Sequence, residues 1–558
     1  SNGAAYGDLD NDGDLDLVVN NVNQNAFVYR NNTDLGKSLK LELVGAGGNS
    51  MAVGARVVAY SRGRLFSYEH FPTKGFQSSM DYRIVIGCDS ISRLDSVKVY
   101  WGYGRVSTLY QVDLSQSVQL NFSDAVAVGD LNTTVRPGKP VVRNAVDPPF
   151  LHREDSYVDF DFDRLLYHKL STEGPALAVA DVNRDGLDDF YIGGAAGQSG
   201  AVYLQTAQGR FVQLPQADVD RDKAYEDVDA VFFDADGDND LDLYVVSGGF
   251  LAMASQIETE HRLYINDSDG GKVKFTRARE RIPFLPGAGS CVRPADFDSD
   301  GDVDLFVGGR AIVRQYGIAA DSYLLENDGK GRFVNSTNRT ASRFFNMGMV
   351  TDAHWFDWDR DRDLDLVVVG EWMGVTLFKN NGTNLERLNN IKGLTNTQGW
   401  WNCVGVADLN ADGYSDLLLG NWGLNSMFQS SAESPLSLFV SDFDSNGTLD
   451  PIFAQFRGDS LYPIPVRNDL IKQLPGIKKK YLFHKDYAGK TVSQVFSPKQ
   501  LNDAQVRKAF GFESVVAFGR RDGSFELKNM PREFQYAPLF SFAQLNDSTW
   551  FCGGNFSV

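Results

Sequence analysis

The 558 residues include only four cysteines and six histidines. Cys88, Cys291, Cys403 and Cys552 stand far apart with no CxxC pair, so neither a zinc site nor a disulfide framework is indicated. The histidines, at 70, 152, 168, 261, 354 and 484, form no HxH or HExxH pattern. GxSxG elbows, P-loops and GxGxxG fingerprints are missing too. Their absence removes the commonest sequence signs of serine hydrolases, nucleotide hydrolysis and dinucleotide binding. No apolar run is long enough to cross a bilayer as a helix. Positive charge is scarce: 54 Lys and Arg stand against 73 Asp and Glu, a formal net charge of −19. That balance argues against a nucleic-acid partner, which calls for a basic surface.

Aspartate is abundant and is placed in a fixed pattern. Seven nonapeptides follow D-x-[DN]-x-[DN]-x-x-x-D, usually with Gly sixth: DLDNDGDLD, DVNRDGLDD, DADGDNDLD, DFDSDGDVD, DWDRDRDLD, DLNADGYSD and DFDSNGTLD. They hold thirty of the acidic residues, and seven bound Ca²⁺ would leave a charge of about −5. Ca²⁺ takes six to eight oxygens, and a sharp turn at the sixth place curls a loop around the ion. Positions 1, 3, 5 and 9 supply side-chain oxygens and position 7 a carbonyl.

The candidate ligands are therefore Asp8, Asp10, Asp12, Asp14 and Asp16, then Asp181, Asn183, Asp185, Leu187 and Asp189. Asp234, Asp236, Asp238, Asp240 and Asp242 form the third set; Asp296, Asp298, Asp300, Asp302 and Asp304 form the fourth. Asp357, Asp359, Asp361, Asp363 and Asp365 follow, then Asp408, Asn410, Asp412, Tyr414 and Asp416. The last set is Asp442, Asp444, Asn446, Thr448 and Asp450. Occupancy varies in this reading. Arg362 replaces the usual Gly, and the last two loops carry only three acids each. Fewer charged ligands mean weaker binding.

An EF-hand needs a bidentate Glu at position 12. Here that place holds Val19, Ile192, Val245, Val307, Val368, Leu419 and Phe453. β runs flank each loop instead, such as AVFF before and LDLYVVSGG after the loop at Asp234. A third strand and a Gly/Asn hairpin often follow, as in SYLLENDGKGRFVN. Four antiparallel strands every 50 to 60 residues read as propeller blades. Six loops and the remnant FSFAQLNDSTWFCGGN suggest an all-β fold of about seven blades after residue 150.

These repeats resemble the FG-GAP/VCBS repeats of integrin-α propellers and bacterial surface proteins. Residues 38–122 lack the acidic loop and resemble the ASPIC/UnbV domain. The matching features are Asn49, Gly54-Ala55-Arg56, Gly75-Phe76-Gln77-Ser78-Ser79, Gly87 and Asp95-x-Val97-x-Val99-x-Trp101-x-x-Gly104. The resemblance implies a Bacteroidetes-type surface protein. Its expected divisions are 1–36 (the end of a preceding propeller), 38–122 (an ASPIC/UnbV-like β domain), 123–150 (a linker) and 151–558 (a propeller with an insert at 455–530). Residue 1 falls inside an expected strand, so the chain reads as a piece of a longer protein, and its lack of a signal peptide is uninformative.

Strand alternation separates two sets of residues ahead of the loops. Leu177, Val179, Ala230, Phe232, Val292, Pro294, Ala353, Trp355, Val404 and Val406 should pack between blades. Asp229, Cys291, Arg293, Asp352, His354 and Cys403 should face a central channel, the polar ones as paired ions or a catalytic group. Cys291 and Cys403 sit in non-adjacent blades, too far apart for a disulfide. Trp372, Trp400, Trp401 and Trp422 lie in or near loops, where they either stack on sugars or plug seams. Lys478, Lys479 and Lys480 form the one dense basic run, a solvated turn or an anion contact.

The expected function is a non-catalytic, calcium-stabilised scaffold outside the cytoplasm that binds a protein or glycan and has no membrane span in this fragment. Ca²⁺, up to seven ions, is the expected cofactor. The alternative is a polysaccharide lyase or hydrolase. It requires a pocket carboxylate, His or Tyr free of calcium and salt-bridge partners.

Overall fold

β-Branched and aromatic runs on either side of each aspartate loop pair as antiparallel strands, because alternate residues can then bury one face of a sheet. The computed structural model describes residues 3–10, 15–20, 25–32, 38–72, 78–88, 91–102, 105–114, 116–127, 150–249, 259–268, 272–546 and 549–554. It divides into two compact units, Ser1–Asn144 and Ala145–Val558. Among the described residues, no helix is long and apolar enough to cross a membrane. All four cysteines are free thiols, including Cys291 and Cys403.

The first unit holds three sheets. Gly3–Gly7, Asp16–Asn20 and Phe27–Tyr29 form one around the first aspartate loop. A second orders Ser117–Asn121, Ser38–Val44 and Ile84–Gly87, with a parallel pairing between the first two. The third orders Val126–Ala127, Arg105–Asp113, Arg93–Gly102, Arg56–Ser61 and Arg64–Glu69. Leu39, Leu41, Val57, Ala59, Val97, Val99 and Trp101 share one core. The expected boundary near residue 37 falls within the first compact unit. The Ala4 amide donates to Ser78 Oγ at 3.1 Å, and the whole segment falls in one unit. Residues 75–77 and Gly104 of the ASPIC/UnbV-like features, and all but 123–127 and 150 of the expected linker, lie outside the described residues.

In the second unit five sheets follow one another in chain order. The first comprises Leu177–Ala180, Asp189–Ile192, Ala201–Gln205 and Phe211–Leu214. The second comprises Asp227–Phe233, Asp242–Ser247, Arg262–Asn266 and Phe275–Arg277. The third comprises Ala288–Ala295, Asp304–Ala311, Tyr323–Asn327 and Phe333–Asn335. The fourth has Met349–Phe356, Asp365–Met373, Thr376–Asn380 and Leu385–Arg387, with Gly399–Trp400 added to its second strand. The fifth has Cys403–Ala407, Asp416–Gly420, Val515–Gly519 and Phe525–Asn529. The strand–loop–strand remnant is the ladder of Ser541–Asn546 with Thr549–Gly553.

Four cores are each shared by two successive sheets. Ala178 and Tyr191 pack with Ala230 and Leu243, and Phe233 and Tyr244 with Val292 and Leu305. Cys291 and Phe306 pack with Ala353 and Leu366, and Phe356 and Val367 with Val404 and Leu417. Fully burying one such aliphatic or aromatic side chain is worth about 1.5–3 kcal/mol. The first strands lie side by side from Leu177–Ala180 to Ser541–Asn546. Leu177 and Val179 depart from expectation, being 60% and 59% exposed. They point away from the second sheet, and no described sheet covers that face.

The Asp442 loop is not the sixth member of this series. Asp416–Gly420 pairs with Val515–Gly519, so residues 421–514 are inserted within the fifth sheet. They form their own sheet, ordered Ser460–Pro463, Asp450–Arg457, Leu436–Ser441 and Gln505–Ala509, with short helices between its last two strands in sequence. The expected insert at 455–530 thus differs at both ends. It began too late because the strands around the Asp442 loop belong to it, and it ended too late because Val515–Gly519 belongs to the host sheet. Within it, Lys480 Nζ donates to the carbonyls of Gln494 and Val495 at 2.8 Å, while Lys478 and Lys479 are exposed.

Candidate metal centres and a polar cavity

Each aspartate loop is organised by its own carboxylates. Asp181 accepts the Asp185 and Gly186 amides at 3.1 and 2.8 Å. Asp408 accepts those of Asp412 and Gly413, and Asp442 those of Asn446 and Gly447. Asp296 repeats the pattern with Asp300 and Gly301, both at 3.1 Å. The turn places left-handed residues at the fourth and sixth positions, for example Ser299 and Gly301 at φ 61° and 100°. Arg362 adopts φ 77° where Gly186, Gly301, Gly413 and Gly447 sit in other loops. An L side chain is strained there. Arg362→Gly should therefore raise stability by about 0.5–1 kcal/mol, read as a higher melting temperature in calcium.

The ninth position does more than offer a ligand. Asp189, Asp242, Asp304, Asp365, Asp416 and Asp450 are all buried. In all but Asp304, whose Oδ2 has no partner, one oxygen accepts an amide inside the loop, for example from Ala235 to Asp242 at 2.8 Å and from Trp358 to Asp365 at 2.9 Å. The other accepts an amide from the neighbouring strand: Gln205 to Asp189, Asn266 to Asp242, Asn327 to Asp304, Asn380 to Asp365 and Gly519 to Asp416. Asp450 instead takes the Gln473 side chain at 2.9 Å. Burial pushes Asp242 up to about 7 and Asp304 up to about 8, with neighbouring carboxylates adding to it.

Three asparagines that sequence reasoning missed stitch the sheets together. Asn327 Nδ2 donates to the carbonyl of Ala235 in the preceding sheet at 2.8 Å and to that of Val303 in its own. Asn266 reaches Val182 and Asn380 reaches Phe297 in the same way. The sequence signal was an Asn closing the third strand of the second, third and fourth sheets, in RLYIN, YLLEN and TLFKN.

Four loops gather carboxylate oxygens within 4.8 Å of one another: Asp234/Asp236/Asp242, Asp296/Asp298/Asp300, Asp357/Asp359/Asp361 and Asp442/Asp444/Asp450. Asp236 Oδ1, Asp298 Oδ1 and Asp357 Oδ1 are buried and accept no hydrogen bond. Orphaned acceptors packed together repel unless a cation neutralises them, so this donor set fits a hard divalent ion. In the Asp357 loop Lys379 contacts Asp359 and lies 3.2 Å from Asp361, so a built-in cation competes for that site. The Asp181 and Asp408 loops each carry Asn at position 3 and form no such triad. In the first loop Asp12 and Asp14 lie outside the described residues, while Asp8 Oδ1 is again orphaned and Asp10 pairs with Arg30.

At the strand ends opposite these loops lies a polar cavity of about 500 Å³. The register shifts at equivalent points in three successive sheets, between Asp227 and Asp229, Gly289 and Cys291, and Val350 and Asp352. Such bulges re-aim side chains. The bulged residues Val228, Ser290 and Thr351 all line the cavity. Of the expected channel residues, Asp229, Arg293 and Asp352 line it as one ionic chain. Arg293 Nη1 meets Asp229 Oδ2 at 2.7 Å, and Nη2 pairs with Asp352. His354 does not line it; burial depresses its basicity.

A second ionic cluster was not foreseen. Arg310 bridges Glu173 at 2.8 Å and Glu371 at 2.7 Å, and Glu371 also takes the Tyr316 hydroxyl and lies 3.4 Å from His168. Burial alone would raise the Glu371 carboxyl, but His168, Arg310 and Tyr316 outweigh it and hold it at about 2. Burial prevails at Glu173 and raises it. Arg310, Glu371 and Trp422 hold equivalent places, six residues past the ninth loop position, which a loop-centred search overlooks. The tryptophans correct the exposed-aromatic reading: Trp372, Trp400 and Trp401 are 3%, 1% and 4% exposed, and Trp422 is half-buried. Seam packing claimed them.

Serial four-stranded antiparallel sheets, each opened by an aspartate loop and stitched to the one before, define an all-β repeat protein. Its family matches agree: ASPIC and UnbV matches residues 45–127, and the FG-GAP-like repeat matches residues 181–245 and 357–419. The chain thus carries an ASPIC/UnbV domain and two FG-GAP-like repeats. None of the curated proteins matches it. Among solved structures it is similar to one described as an exo-β-1,3-galactanase from Bifidobacterium bifidum. There the identity is 9% and the TM-score 0.25, covering 53% of this chain and 92% of that one. BBS1N in complex with ARL6DN gives 12% identity and a TM-score of 0.27, covering 66% and 95%.

Proposed function

We propose that this protein is a non-catalytic, calcium-stabilised binding scaffold that works outside the cytoplasm, its second unit built as a β-propeller that presents a surface to a protein or glycan. The observation carrying the reading is the recurrence of carboxylate triads with orphaned oxygens at the same point of successive sheets. A radial arrangement is supported by the side-by-side first strands and by one cavity lined from equivalent positions of three sheets. Loops with few charged ligands suit compartments rich in calcium. The enzyme alternative needs a cavity carboxylate without a partner. Glu173 and Glu371 share Arg310, and Asp229 and Asp352 share Arg293, which favours binding over catalysis.

Calcium titration of the chelator-treated chain by calorimetry tests the proposal. At least four ions should bind per chain, one for each carboxylate triad. Asp298→Asn and Asp444→Asn should each remove or weaken one. No uptake at millimolar calcium would sink the reading.

A further inference from the structure

We infer that the polar cavity is a binding site for a neutral, hydroxyl-rich ligand of mono- to disaccharide size. The inference rests on the binding-scaffold reading and adds to it a place and a ligand class.

Size comes first. About 500 Å³ lies within the range of about 300–1,000 Å³ that small-molecule sites occupy. Hydrogen bonding comes next. Four residues at the cavity carry buried polar atoms with no partner: Arg310 Nη1, Trp400 Nε1, Asn402 Nδ2 and His168 Nδ1. His168, Arg310 and Trp400 are themselves 6%, 6% and 1% exposed. Three of these four atoms can only donate. Unsatisfied buried donors are costly, and a group that accepts from them recovers that cost.

Charge then chooses among acceptors. The cavity's four carboxylates, from Glu173, Asp229, Asp352 and Glu371, are already paired with Arg293 and Arg310, with Lys169 and His168 beside them. A charged ligand would disturb those pairs: an anion would crowd the carboxylates, and a cation would leave the donors unmet. Hydroxyl groups do both jobs, accepting from the N–H donors and donating to the spare lone pairs of the carboxylates. Apolar surface completes the match: half-buried Trp422 and exposed Phe540 also line the site, and sugar C–H faces pack against such rings. The bulges at Val228, Ser290 and Thr351 recur at one height of three sheets, which marks the lining as built rather than accidental.

The test is calorimetric titration of the calcium-loaded full chain with glucose, galactose, mannose, xylose, cellobiose and lactose. At least one should saturate with a millimolar or tighter Kd, and the matching sugar acid, glucuronate or galacturonate, should bind at least about tenfold more weakly. Asn402→Ala removes an unpartnered donor. It should weaken the binding sugar about tenfold while leaving the melting temperature unchanged. Lys169→Ala is the second variant, at a half-buried rim position. A loss in either variant supports the site. The inference is overturned if no neutral sugar binds, if both variants bind like the parent, or if the sugar acid binds more tightly. Repeating the titration in chelator separates this inference from the calcium reading. Sugar binding without calcium uptake would sink only the latter, and calcium uptake without sugar binding only the former.

Discussion

Stripping calcium from the protein is expected to lower the melting temperature of the second unit by on the order of 10 °C or more. Linkage between ion binding and folding sets the size. An ion present at a hundred times its Kd stabilises the folded state by about 2.7 kcal/mol per site. Four triads acting together would contribute roughly 10 kcal/mol if each were so occupied. Without the cation, Asp236, Asp298 and Asp357 keep orphaned oxygens among like charges. Magnesium should restore little of the loss, because it demands a small octahedral shell and dehydrates reluctantly. Differential scanning calorimetry in calcium, in chelator and in magnesium reads all three states. A curve unmoved by chelator would contradict the structural role given to the loops.

Arg293→Ala should destabilise the same unit by about 1–3 kcal/mol, between the cost of breaking an exposed ion pair and a fully buried one, because Arg293 and Asp229 are half-buried. Arg293 ties three successive sheets. Its guanidinium meets Asp229 on the second and Asp352 on the fourth, and its Nε donates to the Ala353 carbonyl at 2.9 Å. Removing it leaves two carboxylates facing each other across the cavity wall. The loss should show as a lower denaturation midpoint in calcium. Combining Arg293→Met with Asp229→Asn and Asp352→Asn should recover part of it, since the stranded charges are then gone. If the single variant melts like the parent, the ionic chain is not what joins these sheets.

Much of this architecture was legible because aspartate spacing and strand alternation are local. The loop at Asp296 announced Ala288–Ala295 before it and Asp304–Ala311 after it, and both formed. Asp229, Arg293 and Asp352 were legible as facing one space by alternation alone. Non-local pairings were harder to read. The interval between the loops at Asp408 and Asp442 is too short for four strands, yet the Asp442 loop was counted with the series, because the partner strand Val515–Gly519 lies far downstream. Arg310 and Glu371 had no motif to betray them; only registration against the ninth loop position brings them to one height. Loop position alone left the tryptophans open between sugar stacking and seam packing; Trp400, among Trp372, Trp422, Phe428 and Phe512, packs a seam.

The nested segment has a consequence in time. Leu418 pairs with Val516, so the fifth sheet cannot gain its third strand until nearly a hundred further residues have left the ribosome. At about 5–20 residues per second that wait lasts roughly 5–20 s, during which Asp416–Gly420 presents an open edge. The four earlier sheets complete themselves as they emerge. The intervening residues shorten the search, because their own ends meet: the Asn421 amide donates to Ser514 Oγ at 3.0 Å. Once the inserted sheet closes, it delivers the late strand to the waiting edge, so synthesis order and assembly order part company here.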